Sequence, residues 1–319
     1  MKRGQVSSLP NITVIVASFN SLSRSFLNLC LSSIKDQSYN GKVQLIVVDG
    51  GSTDGSIELA SSMGAEIVHN PQVTELGFSG GKNLGFHRST GEYIAIIDAD
   101  NVLVERDYLA KMISPFLEDN DITMTMPMPY DPIKSKFGSL CNPICRYFCL
   151  NDLRGTIYIS EHYQVDKKAS GKWIKLEPMG IAVPNGAIIK RTALERIGGF
   201  DYDTEVVARL FANGLGHFAL VTTAHRLHLE MLTYRQVYKK FKRRVLHQIQ
   251  HRNDKPEVQR QIKGIIKNPR YYFKTNLFAP LLLLFRERDI TYFQALPVFI
   301  IQTFLFIRYF KALTEDLYT

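Results

Sequence analysis

The chain has 319 residues, 45% hydrophobic and 22% charged, so most of it is expected to bury a core as one large domain or two smaller ones. Its four cysteines, Cys30, Cys141, Cys145 and Cys149, do not make a disulfide framework, and a reducing compartment is expected. The formal net charge of +9 suits nucleic acid, an anionic membrane surface or a phosphorylated substrate, and does not choose among them.

Met1 to Pro10 is short and polar, without the apolar run of a secretory leader. Thr13 to Ala17 is β-branched and reads as a buried strand, broken by Ser18-Phe19-Asn20-Ser21. A helix is expected from about Ser23 to Lys35, with Phe26, Leu27, Cys30, Leu31 and Ile34 on one side. Gln44 to Val48 is a second strand, ending in the acidic, Gly-rich turn Asp49 to Gly55. A helix to about Met63 and a strand Glu66 to His69 come next. Pro71 to Gly81 reads as a loop, and a helix from about Gly81 to Ser89 follows it.

Tyr93 to Ile97 is apolar enough for a strand buried on both faces, and it runs into Asp98-Ala99-Asp100-Asn101. Two carboxylates at a strand end can hold a hard cation, which can in turn hold a diphosphate. They are equally the polar turn that starts a helix. A helix around Asp107 to Leu117 and a strand Ile122 to Met126 complete an alternation that predicts βαβ units and a mainly parallel sheet. A nucleotide lying across the strand ends is the natural expectation. No G-x-G-x-x-G follows the first strand and no P-loop motif occurs, which removes the main support for those two nucleotide folds.

Pro127 to Pro184 has poor periodicity and reads as an insertion that shapes the substrate site. Cys141, Cys145 and Cys149 are spaced four apart, as on one buried helical face; a metal site would want a fourth thiolate or a closely spaced His. Order returns with a strand over Gly186 to Ile189, a short helix Arg191 to Ile197 and the turn Gly198-Gly199-Phe200-Asp201. Tyr202 to Leu210 reads as a helix with acids in its first turn.

With these motifs in this order, residues 11 to 245 resemble the family 2 inverting glycosyltransferases of the GT-A fold. Asn11 to Asn20 looks like that family's first strand and nucleotide-contacting turn, and Val47 to Gly55 like its second. Gly80 to Gly85 and then Ser89 to Tyr93 lead into Asp98-Ala99-Asp100 as the family's loop and helix lead into its D-x-D. Gly198 to Asp201 followed by acids is similar to its acceptor-site signature. The resemblance implies an α/β catalytic domain over residues 1–230, a nucleoside-diphosphate sugar donor, and Mg²⁺ or Mn²⁺. It places Ala17, Phe19, Asn20, Asp49, Lys82, Asp98 and Asp100 at the donor, with Asp100 as the direct metal ligand. Asp98 is expected on the ribose or on the metal through water, and Lys82 on the base or the diphosphate. Asp203 is expected as the general base, with Glu205 as the alternative. His228, rather than His225, is expected near the metal or diphosphate. The chain departs from the family at Gly50, where a second Asp is common, and at Ala17 and Phe19, where hydroxyl side chains are frequent, so the base of the donor stays open.

Residues 231–319 change character. Tyr234 to Arg244 is a basic amphipathic helix, followed by apolar blocks at Leu277 to Phe285 and Tyr292 to Ile307, each short for a bilayer span. These point to a membrane-associated enzyme at the cytoplasmic face with a glycan or polyprenyl-linked acceptor; core helices of a C-terminal subdomain are the alternative. A polyprenyl-phosphate sugar synthase fits the same features. A sugar nucleotidyltransferase would want a basic Gly-rich signature after the first strand, and a catalytically inactive sugar-nucleotide binder would not need all of Asp98, Asp100, Asp203 and Glu205. Nucleic-acid binding fits the charge alone.

Overall fold

The computed structural model describes residues 9–24, 26–71, 73–130, 142–162, 164–166, 172–176, 185–200, 203–215, 217–229, 232–250 and 296–314. The chain divides into two compact units, Met1–Asp131 with Cys149–Leu229, and Pro132–Phe148 with Glu230–Thr319.

The first unit is built on a ten-stranded mixed sheet. Strands β1 (Ile12–Ser18), β2 (Val43–Asp49), β3 (Glu66–His69) and β4 (Tyr93–Asp98) are parallel to one another in the order β3-β2-β1-β4. Their connections carry helices α1 (Ser21–Arg24), α2 (Leu27–Lys35), α3 (Ser56–Ser62) and α4 (Val73–Arg88), the crossovers a parallel sheet requires. Then come β5 (Asn101–Leu103), α5 (Tyr108–Glu118), β6 (Ile122–Pro129), α6 (Pro143–His162), β7 (Gln164–Asp166) and β8 (Trp173–Leu176). They are followed by β9 (Ile188–Lys190), α7 (Arg191–Arg196), α8 (Asp203–Ala212) and β10 (His217–His228). The sheet continues from β4 as β9-β6-β10-β8-β7, with β9 antiparallel to both β4 and β6, and β6 parallel to β10. β5 pairs antiparallel with the end of β10.

The alternation of side chains explains why the apolar runs are uninterrupted. Val14, Val16, Ala95 and Ile97 pack on one side of the sheet with Leu27, Cys30 and Leu31 of α2 and Leu109, Met112 and Phe116 of α5. Ile15, Ile46, Val48, Ile94 and Ile96 pack on the other with Leu194 of α7 and Val206, Val207 and Leu210 of α8. Both faces are packed, so Val14 to Ala17 and Ile94 to Ile97 are apolar throughout.

Two sequence expectations change here. The predicted loop over Pro71 to Gly81 is helix from Val73 onward. Gly81, at the end of the expected loop, and Gly85, inside the expected helix, both serve packing. A Cβ on Gly85 would stand 2.6 Å from Ile15 Cγ2 and 3.1 Å from Val48 Cγ2, and one on Gly81 would stand 3.4 Å from Val48 Cγ1. Four residues apart, they form a face with no side chains that lets α4 lie close on β1 and β2. The aperiodic stretch Pro127 to Pro184 contains the 20-residue α6. Cys145 and Cys149 are buried on it, while Cys141 lies outside the described residues.

In the second unit, α9 (Tyr234–Gln250) and α10 (Leu296–Thr314) bury Val237, Phe241, Val298 and Leu305 together with Ile144, Tyr147 and Phe148 at the start of α6. The block Leu277 to Phe285 lies outside the described residues, as does Tyr292 to Ala295 of the second block. Among the described residues no helix is long and apolar enough to cross a membrane.

Candidate active site

The register of the parallel strands sets the site. Ala17 of β1 stands opposite Val48 of β2 and Asp98 of β4, and Ser18 stands opposite Asp49. The three turns that follow therefore leave the sheet at one level, where open α/β sheets bind ligands. Two of the turns are tied together: the Asn20 backbone N–H donates to Ser52 Oγ at 2.8 Å, and Asn20 Oδ1 accepts from the Thr53 N–H at 2.9 Å. Asn20 has φ 49°, a left-handed conformation that asparagine tolerates better than most residues. The Phe19 N–H donates to Ser21 Oγ at 3.2 Å. Asp49 is 1% exposed, and its carboxylate accepts the N–H groups of Gly51 and Ser52, both at 2.7 Å, and the Ser52 hydroxyl. It thus shapes its own turn.

Lys82 is 1% exposed and sits one residue beyond Gly81 on α4. Its Nζ lies 2.8 Å from Asp98 Oδ1. The close seating of α4 against β1 and β2 brings a buried ammonium to the end of β4. Asn83, the next residue, accepts the Phe200 N–H on Oδ1 at 3.0 Å. Gly199 has φ 86°, and a Cβ there would stand 2.5 Å from Asn83 Oδ1, so this turn requires glycine on both counts. One helix therefore touches the D-x-D strand through Lys82 and the Gly-Gly-Phe turn through Asn83. Asp203 and Glu205 fall in the first turn of α8, which that turn leads into; the described structure gives their backbone only.

Asp100 and His228 are brought together by strand pairing. His228 stands opposite Asn101 in the β5–β10 ladder, and the Leu229 N–H donates to the Asp100 carbonyl at 2.7 Å. His228 Nε2 comes within 3.4 Å of Asp100 Oδ2. From there a closed ring of side chains runs through the site. His228 Nδ1 is 3.3 Å from Asp152 Oδ2. Arg226 donates through Nη2 to that same oxygen at 2.9 Å and through Nη1 to Asn101 Oδ1 at 2.9 Å. Asn101 Nδ2 donates back to Asp100 Oδ1 at 2.7 Å.

The charges answer one another. Burial opposes a charged His228, but Asp100 and Asp152 outweigh it and hold the imidazole well above its ordinary pKa. Burial pushes Asp152 up, yet His228 and Arg226 overcome it and leave the carboxyl well below the usual range. Cys30 lies behind the D-x-D with its thiol 3.5 Å from the Asp98 carbonyl; burial, then Asp100 and Asp98, push that thiol far up. It is an inert core group. His225 is turned elsewhere: its Nδ1 is 2.5 Å from Glu105 Oε1.

A family model described as "Glycosyl transferase family 2" matches residues 13–198, more than half of the chain. The chain belongs to glycosyl transferase family 2. This family 2 glycosyltransferase is 34% identical over 110 residues to glycosyltransferase GlyA of Streptococcus pneumoniae, covering 34% of this chain and 15% of GlyA. It is 24% identical over 208 residues to glycosyltransferase GlyG of the same organism, covering 63% of this chain and 64% of GlyG. The chain thus spans less than two thirds of either relative. Among solved structures it is similar to the mannosyltransferase PcManGT of Pyrobaculum calidifontis, solved in complex with GDP-Man and Mn²⁺. The TM-score is 0.55 at 20% identity, covering 96% of this chain and 88% of that one. That likeness concerns the fold, which is GT-A. The family match ends at residue 198, short of Asp203, Glu205 and His228.

Among the described residues no three His, Cys, Asp or Glu side chains converge as a metal cluster. The donor set nevertheless suits a hard divalent cation held jointly with a diphosphate. Such ions commonly take one or two protein ligands and fill the rest with phosphate oxygens and water. Asp100 Oδ2 and His228 Nε2, 3.4 Å apart, are spaced near the edge of a coordination shell with ligands at about 2.1 Å. Asp98 has one oxygen on Lys82. Asp152, Arg226, Asn101 and Asn83 were not singled out from the sequence. Arg226 alternates with His228 along a strand, which places it on the same face and is a usable signal. Asp152 carries no such signal, because its partners are more than 70 residues away.

Proposed function

We propose that the protein is a metal-dependent inverting glycosyltransferase that moves a sugar from a nucleoside-diphosphate sugar to a glycan or lipid-linked acceptor at a membrane surface. The observation that carries the reading is the Asp100–His228 pair at the level of the strand ends, beside the Lys82–Asp98 pair. In this reading Asp100 and His228 would hold a divalent cation, Mn²⁺ or Mg²⁺, which would offset the charge that grows on the departing diphosphate.

The residues of the chain divide the remaining work. The turns at Phe19–Asn20 and Asp49–Gly55 receive the base and ribose. Lys82 holds Asp98 for the donor side of the site. Asp203 takes the proton of the acceptor hydroxyl as its oxygen attacks the anomeric carbon on the face opposite the diphosphate, which inverts that centre. Glu205 lies two residues on, a spacing that does not share one helical face. The complexes of PcManGT with GDP-Man and Mn²⁺ support this donor class and ion.

The membrane part of the proposal rests on the second unit. On α10, Ile300, Phe304 and Ile307 are 55%, 52% and 60% exposed and form one stripe, while Val298 and Leu305 are buried on the other side. On α9, Arg235, Lys239 and Arg243 are exposed, and Val237 and Phe241 are buried. An apolar stripe and a basic face suit an anionic lipid surface. The functional test is a panel of UDP- and GDP-sugars assayed for hydrolysis and transfer with and without Mn²⁺. Turnover of at least one, dependent on metal and with inverted product configuration, is the expected result. Equal turnover after chelation, or a retained configuration, rejects the reading.

A further inference from the structure

We propose that Asp152 is a positioning residue for His228: its carboxylate holds Nδ1 and thereby presents Nε2 beside Asp100. The inference rests on the reading above, in which Asp100 and His228 hold the divalent ion.

Three observations support it. First, one oxygen, Asp152 Oδ2, meets both His228 Nδ1 at 3.3 Å and Arg226 Nη2 at 2.9 Å. A carboxylate on the second ring nitrogen fixes which nitrogen is offered to a metal, and makes it a better ligand. Second, Arg226 is 2% exposed and its other Nη binds Asn101, whose amide binds Asp100. The carboxylate that orients the histidine is thus itself held by a cation that also reaches the aspartate, and the ring closes on both ligands. Third, α6 is fastened to β10 beside this point. Cys149 Sγ donates to the His228 carbonyl at 2.8 Å, three residues before Asp152 on the same helical side. The helix is therefore located against the backbone and the ring of a single histidine.

The competing account is that Asp152 only neutralises a buried arginine. The two separate in Mn²⁺ affinity, which orientation of His228 moves and simple neutralisation does not. Mn²⁺ binding to the full chain is titrated by electron paramagnetic resonance in the presence of UDP or GDP. In parallel, nucleotide affinity without metal and the melting temperature are measured. Asp152→Asn keeps the shape and one hydrogen bond but removes the charge. It is expected to weaken Mn²⁺ about 10- to 100-fold with metal-free nucleotide affinity unchanged, while the melting temperature falls because Arg226 loses its buried partner. Should the lone change leave Arg226 too poorly compensated to fold, Asp152→Asn combined with Arg226→Met removes both buried charges and is expected to show the same weakening. Wild-type Mn²⁺ affinity in a folded variant overturns the assignment. So does a loss of Mn²⁺ affinity that is matched by an equal loss of metal-free nucleotide affinity. Absence of Mn²⁺ binding by the wild type with both nucleotides, or no effect of His228→Ala, rejects the underlying metal reading and the Asp152 role with it.

Discussion

Lys82 Nζ lies 2.8 Å from Asp98 Oδ1, with the lysine side chain 2% exposed and the aspartate 33% exposed. The pair is asymmetric, and its two halves should not cost the same to remove. Lys82→Met leaves a carboxylate that water can still reach and is expected to cost about 1–2 kcal/mol. Asp98→Asn weakens the compensation of a buried ammonium and is expected to cost more, about 3 kcal/mol. Urea denaturation of both variants checks the order. Equal losses would contradict this asymmetry.

Gly85 tests the seating of α4. Alanine favours a helix interior by about 1 kcal/mol over glycine. Here the new methyl would stand 2.6 Å from Ile15 Cγ2, and overpacking a tight core costs about 1–3 kcal/mol. Gly85→Ala is therefore expected to lower the melting temperature despite its helix propensity. A rise would show that α4 can move off β1 without loss.

These two predictions mark where the sequence was legible. Runs such as Val14-Ile15-Val16 and Ile94-Ala95-Ile96-Ile97 announce buried parallel strands, because burial on both faces leaves no polar position. The D-x-D at the end of β4 follows from the same pattern. The glycines of the expected loop, such as Gly81, mislead for a physical reason. A glycine signals a turn through its φ freedom or close packing through its missing Cβ, and sequence alone does not say which. Asn83 and Asp152 act across 117 and 74 residues of chain to Phe200 and Arg226 respectively, so no local spacing reveals them, whereas Arg226 was marked only by its alternation with His228 on one strand. Cys145 and Cys149 were legible as a buried helical face, but the helix around them was obscured by its polar and glycine residues.

The proposed base separates from its neighbour by substitution. Asp203→Asn is expected to leave donor affinity intact and lower turnover about 10²- to 10⁴-fold, whereas Glu205→Gln leaves turnover within a few-fold. Transfer rates and donor titrations on both variants decide it. An active Asp203→Asn with an inactive Glu205→Gln would move the role to Glu205.

The exposed stripe of α10 makes the surface proposal testable. Replacing Ile300, Phe304 and Ile307 by serine removes apolar area from positions that are already more than half exposed, so stability should stay nearly unchanged. Flotation of the full chain with phosphatidylserine-containing vesicles should fall sharply, and raising salt should weaken the wild type through its basic α9 face. Wild-type protein that stays off the vesicles at low salt would contradict membrane docking.

The central claim is that Asp100, brought beside His228 by the β5–β10 pairing, anchors a metal–diphosphate complex. Its most direct test is calorimetric titration of a UDP- or GDP-sugar into the full chain with and without Mn²⁺, repeated on Asp100→Ala. The account predicts donor binding that strengthens with Mn²⁺ in the wild type, and loses that enhancement in Asp100→Ala while the variant stays folded. An undiminished Mn²⁺ enhancement in Asp100→Ala would contradict it.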